Sequence, residues 1–328
     1  MTSSDKNLDT KSMPAIADVR AAHKLIKPYI HHTPVLTSSY FDSVTGANLY
    51  FKCENFQKVG AFKARGAVNV VLSLSEEEAR NGVTTHSSGN HGMALSYAAQ
   101  CRGINCTVVM PNTAPEVKRK AVIGYGGSIV ECAPSTSSRE SAVSLVISHT
   151  GAEFVHPYND LRVITGQATC AMELLEDVSE LDAIVAPIGG GGLISGTCIT
   201  RNAIAPNMAV YAAEPEQADD AYRSFKSGQL VEDDAPITVA DGLKVPLKEN
   251  TWHFVSNHVN DIFTVSEQEI VSAMMLLWQR MKVVVEASCA VPLAVILKHP
   301  EVFRDKKVGV VLTGGNVDLS ALPWNTTP

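Results

Sequence analysis

The chain has 328 residues, 45% of them hydrophobic and 19% charged, with a formal net charge of −7 at pH 7. Length and balance allow a sizeable buried core in two domains or one large α/β unit, and exclude a disordered chain. The negative charge argues against a nucleic-acid surface, which needs clustered Lys and Arg; the densest basic patch, Lys118-Arg119-Lys120, is short and reads as a solvated helix face.

Residues Met1–Met13 read as a frayed polar tail without a signal-peptide core or a targeting pattern, and no apolar run elsewhere approaches a membrane span. Seven cysteines, odd in number and without a C-x-x-C pair, read as reduced, cytosolic thiols with neither metal nor nucleophile duty. Ile16, Val19, Ala22, Leu25 and Ile26 give a helical stripe, which Pro34 prevents from continuing. His31 and His32 are adjacent on an extended segment, so they point opposite ways and cannot share one ion. Asn48–Lys52 reads as a strand leading into a turn, and Lys63 heads a helix running to about Leu74.

From Gly82 to about Val155, strands near Val83, Cys106, Ser128 and Glu153 alternate with helices near Gly89, Glu116 and Arg139. This alternation predicts a parallel sheet with right-handed crossovers, a small α/β domain inserted in a larger one. The expected boundaries are 1–79 and 159–328 for the two parts of the larger domain and 80–158 for the smaller. The second series has a helix at Gly166–Leu175, a strand at Ala183–Ile188 and a glycine run opening another helix. A strand at Met208–Glu214, a polar loop over Gln229–Asn250, and helices near 267–282 and 288–297 follow. A last strand, Val308–Leu312, ends in Thr313-Gly314-Gly315-Asn316.

Three stretches carry candidate chemistry. Lys63 follows Gly60-Ala61-Phe62, and partial burial there lowers a lysine pKa, so that the neutral amine attacks a carbonyl and forms a Schiff base. The alternative is a solvated helix-start lysine, as Lys52 and Lys58 read. Gly189-Gly190-Gly191-Gly192 lies between a buried strand and a helix, where backbone N–H groups converge on an anion. A dinucleotide site fails on register: the third glycine of G-x-G-x-x-G falls on Ile194 or Ser195, so a phosphate monoester fits better. Ser87-Ser88-Gly89-Asn90-His91-Gly92 reads either as an N-cap with a polar turn, or as donors that hold a substrate carboxylate while Asn90 serves a phenolic oxygen and Ser88 trades a proton. Glu232-Asp233-Asp234 reads as a charged turn.

Glu54–Ala67, Ser87–Gly92, Gly189–Gly192 and Thr313–Asn316, in this order and at these separations, resemble the fold type II (β-family) pyridoxal-phosphate enzymes. Within them, the chain is similar to the serine racemase and serine/threonine dehydratase group over about Ile16 to Leu319. The resemblance implies an α/β fold of two parallel-sheet domains and pyridoxal 5′-phosphate carried on Lys63, which also serves as base on one face of the substrate. It places Phe62 beside the pyridine ring, Asn90 at the 3′ oxygen, Gly189, Gly190, Gly191, Gly192 and Leu193 around the phosphate, and Thr313 at the ring nitrogen. Ser88 becomes the acid/base of the opposite face. Ser87, Ser88, Gly89, Asn90 and His91 become substrate contacts, with Arg139 near the entrance, where a guanidinium would suit a second carboxylate such as that of threo-3-hydroxyaspartate.

Read alone, Glu214–Asp220 is a solvated acidic loop. The resemblance makes Glu214, the Ala218 carbonyl and Asp220 a site for Mg²⁺, Ca²⁺ or Mn²⁺. The implied activity is racemisation of serine together with elimination of water from L-serine to pyruvate and ammonia. The alternative is a threonine or threo-3-hydroxyaspartate dehydratase with little racemisation. A homodimer with a nucleotide activator is implied too; the cytoplasmic location and the absence of nucleic-acid and membrane partners are expected from the cysteines, the charge and the lack of a long apolar run. His156-Pro157-Tyr158-Asn159-Asp160 departs from the animal racemases and looks more like plant and microbial members.

Overall fold

The computed structural model describes residues 13–232 and 236–325. The readings of residues 1–12 as a tail and of Asp233 and Asp234 as a turn lie outside the described residues. No helix of the described chain is long and apolar enough to cross a membrane. All seven cysteines are free thiols.

Among the described residues, ten strands form two sheets: β1 (Val35–Leu36), β2 (Asn48–Cys53), β3 (Val83–His86), β4 (Cys106–Pro111), β5 (Ser128–Cys132), β6 (Glu153–Phe154), β7 (Ala183–Pro187), β8 (Ala209–Pro215), β9 (Asp261–Val265) and β10 (Lys307–Leu312). The larger sheet has the order β1-β2-β10-β7-β8-β9 and the smaller β5-β4-β3-β6. β1 runs antiparallel to β2, and the other pairings are parallel. β7 is buried throughout and β10 from Val308 onward, as strands covered by helices on both faces require. The chain leaves the larger sheet after β2, builds the smaller one, and returns at β7. Parallel strands bring their C-terminal ends to one edge, where ligands of open α/β sheets bind. That edge gathers the turns after β2, β7, β8 and β10.

Several elements differ from the sequence expectation. The helix expected from Gly166 spans Leu161–Asp177, because Asp160 caps it and accepts from the Arg162 N–H at 2.8 Å. The segment expected near 267–282 is an α-helix, Glu267–Leu276, followed by a π-turn, Leu277–Met281, which Lys282 ends in the left-handed region at φ 59°. The helices Ser39–Thr45 and Glu249–His258 and the edge strand β9 carry no clear period in sequence.

Lys52 is not a solvated lysine. It is fully buried, its Nζ 2.9 Å from Glu173 and 2.8 Å from the Thr33 carbonyl. Beside it, the buried Arg65 guanidinium donates to both carboxylate oxygens of Glu54 at 2.7 and 2.8 Å and to both of Glu173 at 2.8 and 2.6 Å. Buried charges persist only when paired in this way. The pairing fixes the helix Lys63–Ser73, which bears Arg65, to the helix Leu161–Asp177. His31 bonds the Phe56 carbonyl and His32 pairs with Asp177, so the adjacent histidines do take separate partners.

Candidate active site

After β2 the chain makes two 3-10 turns, Glu54–Phe56 and Lys58–Gly60, with Val59 at φ 56°. A β-branched residue in that region is strained. The Phe62 N–H donates to the Thr313 carbonyl at 3.0 Å and Ala61 bridges Gly314, so the loop after β10 holds the turn that delivers Lys63. Lys63 is the first residue of its helix. Its Nζ donates to the Pro157 carbonyl at 3.0 Å and stands 5.1 Å from the Phe62 ring centroid. Burial pulls the amine down from 10.5 to about 8, toward the range of a nucleophile and base.

β7 ends at Pro187 and the glycine run leads into the helix Gly192–Ile204, with Gly191 at φ 82°. The cradle has no room for side chains: a Cβ on Gly189 would lie 2.8 Å from Leu243 Cα, on Gly190 2.4 Å from the Tyr158 ring, and on Gly191 2.6 Å from Leu247. Leu193 is buried in the first turn of the helix, whose N–H groups face the same edge as Lys63. Thr313 is buried at the end of β10.

Gly89 is the N-cap of the helix Asn90–Arg102, and Ser87 Oγ accepts from the Gly89 N–H at 3.2 Å. Ser88 is exposed at the tip of this turn. The Asn90 amide is held from both ends: Nδ2 donates to Glu286 Oε1 at 2.7 Å and Oδ1 accepts from Asn316 Nδ2 at 2.9 Å. One Nδ2 hydrogen is left for a ligand. The His91 imidazole is buried rather than exposed to a substrate, and burial, then the Lys63 charge, hold its pKa well below the usual histidine value. Arg139, on the helix Thr136–Thr150, acts electrostatically on His86, the residue preceding Ser87.

Glu214 is buried at the end of β8 and accepts from the N–H groups of Ala221 and Tyr222 at 3.0 and 2.8 Å. Burial, then the charge of the buried Asp220, raises its carboxyl well above the usual range. Ala218 is buried beside them. Hard oxygen donors in this pairing suit a divalent cation, which would relieve the repulsion.

Residues 26–314 match the family model described as pyridoxal-phosphate dependent enzyme. The chain belongs to that family. It is 62% identical over 313 residues to the beta-hydroxyaspartate dehydratase of Paracoccus denitrificans, covering 95% of this chain and 99% of the relative. It is 48% identical over 313 residues to the serine racemase of Dictyostelium discoideum, covering 94% and 96%. The structure of maize serine racemase superposes with a TM-score of 0.92 at 42% identity, covering 95% and 96%. This family's members related to the chain are racemases and dehydratases, so the chain is a pyridoxal-phosphate-dependent enzyme of that fold type II group. Bound, the cofactor supplies an electron sink that acidifies the α-proton of an amino acid. The site fits it: a half-buried low-pKa amine, a side-chain-free cradle at a helix N-terminus, and an amide with a spare donor.

Sequence reasoning missed Glu286, buried against Asn90, although a single acid within Val283-Val284-Val285-Glu286-Ala287 signals a buried carboxyl. It also misjudged Lys118. This lysine does not face solvent; it is buried and bonded to Asp241.

Proposed function

We propose that the chain removes water from a β-hydroxy-α-amino acid carrying a second carboxylate, 3-hydroxyaspartate, with net conversion to oxaloacetate and ammonia. The observation that carries the substrate choice is Arg139: its buried Nε has no partner among the described residues, and its charge, after burial, lowers the pKa of His86 beside the Ser87–Asn90 turn. A guanidinium with an uncommitted donor suits a distal carboxylate, which serine lacks. The 62% identical dehydratase supports the same choice. In this reading Lys63 Nζ accepts the α-proton, the Ser87–Asn90 turn and the helix behind it hold the α-carboxylate, and Gly189–Leu193 hold the cofactor phosphate.

A second reading, serine racemisation, is favoured by Ser88, whose exposed hydroxyl makes no hydrogen bond among the described residues. The reading includes a divalent cation at Glu214, Ala218 and Asp220, supported by the raised Glu214 carboxyl. A homodimer and a nucleotide activator rest on the sequence resemblance alone, and a cytoplasmic location on the cysteine pattern. Residues 80–158 as a smaller domain within 1–79 and 159–328 is supported by the position of the four-stranded sheet.

The test is incubation of the purified protein with pyridoxal 5′-phosphate and Mg²⁺, and with either threo-3-hydroxyaspartate or L-serine, followed by 2-oxo acid assay and chiral amino-acid analysis. Expected is a kcat/KM for hydroxyaspartate at least about tenfold above that for serine, a preference that Arg139→Ala removes. D-serine as the main product would establish the second reading instead.

A further inference from the structure

Lys118 lies on the helix Glu116–Gly124 behind β4, buried, while Lys120 of the same basic run is exposed. Its ammonium is bonded to Asp241, on the 3-10 turn Asp241–Leu243. That turn backs the cofactor cradle, since Leu243 Cα lies where a Cβ on Gly189 would go. On its other side the ammonium abuts the Ser87–Asn90 turn: a Cβ on Gly89 would lie 3.1 Å from Lys118 Nζ. The pair therefore joins the substrate turn to the cradle. Glu286 completes the cluster, bonded to Asn90 and packed so closely on Gly314 that a Cβ there would lie 2.8 Å from its Oε1.

We propose that Lys118 is a positioning residue: held by Asp241, its ammonium braces the Ser87–Gly89 turn and, with Asp241, sets the charge on Glu286 and through it the hydrogen-bond balance of the Asn90 amide. The inference rests on the reading of Asn90 as a cofactor contact.

The charged groups acting on Glu286 are Asp241 and Lys118; the Cys289 thiol, on the helix Ala287–Lys298, faces it and is itself pushed up by burial and by the Glu286 charge. Burial, then the Asp241 charge, lift the Glu286 carboxyl to about 7, against the opposing Lys118 charge and the Asn90 and Asn316 hydrogen bonds. Burial disfavours the Lys118 ammonium, but Asp241 and Glu286 outweigh that cost and raise its pKa, so it is a fixed cation through neutral pH. Ionised, Glu286 is a strong acceptor that draws the Asn90 N–H; protonated, it is a weak one. The two neighbours thus act on Asn90 with opposite sign.

The experiment is a pH titration of the cofactor absorbance of the holoenzyme, with kcat and KM for 3-hydroxyaspartate and serine measured alongside. In the wild type a spectral step near pH 7 is expected, absent from Glu286→Gln. Lys118→Met should move it up by about one unit and Asp241→Asn down by about one, while Lys118→Arg restores the wild-type midpoint. With Lys118→Met, kcat/KM for the better substrate should fall about tenfold, mainly through KM. Displacement of both variants in the same direction, or no displacement, overturns the role of Lys118. A distinct result, a spectrum indifferent to Asn90→Ala, overturns the reading of Asn90 on which the inference stands. Asp241 is half exposed, and asparagine keeps its shape and an acceptor for the Lys118 ammonium, so where Lys118→Met does not fold the Asp241→Asn midpoint decides alone: no downward displacement overturns the role of Lys118.

Discussion

The ring of Tyr158 fills the space that a side chain at Gly190 would need: a Cβ there would lie 2.4 Å from both Cγ and Cδ1 of the ring. Tyr158 is buried, with the His156 ring edge-on at 4.6 Å between centroids, so it has little room to retreat. Gly190→Ala should therefore cost about 1–3 kcal/mol of stability and weaken pyridoxal 5′-phosphate binding. Pairing it with Tyr158→Ala makes room for the new methyl and should recover part of the affinity, measured by absorbance titration of the apoprotein. Equal affinities of wild type and Gly190→Ala would mean that the phosphate does not use this cradle.

Lys63 gives a prediction that needs no substrate. Its folded pKa of about 8 lies below its ordinary 10.5, so the unfolded chain binds more protons between those values. The apoprotein should gain stability as pH rises through that window. Lys63→Met removes the cost of a buried ammonium and should raise the apoprotein's Tm at pH 7, by about 1–3 kcal/mol in stability, but not above pH 10.5. In the wild type, uptake of pyridoxal 5′-phosphate should accelerate as pH rises through about 8, because only the neutral amine attacks. Stopped-flow mixing of apoprotein and cofactor at several pH values checks this.

The buried ion cluster under Lys63 predicts acid sensitivity. Burial pushes the Glu173 carboxyl up, but the His23 bond, the Arg65 bonds and charge, and the Lys52 charge outweigh it and hold the carboxyl far below the usual range. Its folded pKa is depressed, so its stabilisation is complete above the ordinary 4.5 and is lost as pH falls from there. Urea unfolding should show this loss in the wild type and a weaker one in Glu173→Gln. Arg65→Met leaves the buried Glu54 carboxylate without a cation, Glu173 keeping Lys52, and should cost about 3–5 kcal/mol at pH 7.

How much of this was legible depended on how local the signal is. Strands such as Ala183–Pro187 are short apolar runs bounded by turn residues, and the turns of the candidate site sit at strand ends rich in glycine, serine and asparagine. Those features follow from adjacent residues. Lys52 and Lys118 did not, because each is buried by partners distant in sequence: Glu173 for one, Asp241 for the other. Composition makes a lysine a surface residue by default, and only the tertiary fold brings the compensating carboxylate. The early start of the helix Leu161–Asp177 was missed for a local reason, since Asp160 as a cap looks the same in sequence as any turn aspartate.

Ser88 separates the two readings of function. It stands at the exposed tip of the turn before the helix Asn90–Arg102, whereas Lys63 heads another helix and donates to the Pro157 carbonyl. Inverting a stereocentre requires a proton removed from one face and another delivered to the opposite face, while elimination from one isomer needs only the first. Ser88→Ala should then abolish D-serine formation from L-serine, by about a hundredfold or more, and leave elimination from 3-hydroxyaspartate within about threefold of wild type. Chiral chromatography and a 2-oxo acid assay on the same samples measure both. If elimination falls in parallel with racemisation, Ser88 serves substrate binding and is not the base of a second face; if the wild type makes no D-serine, the hydroxyl is spare and the chain is a dehydratase alone.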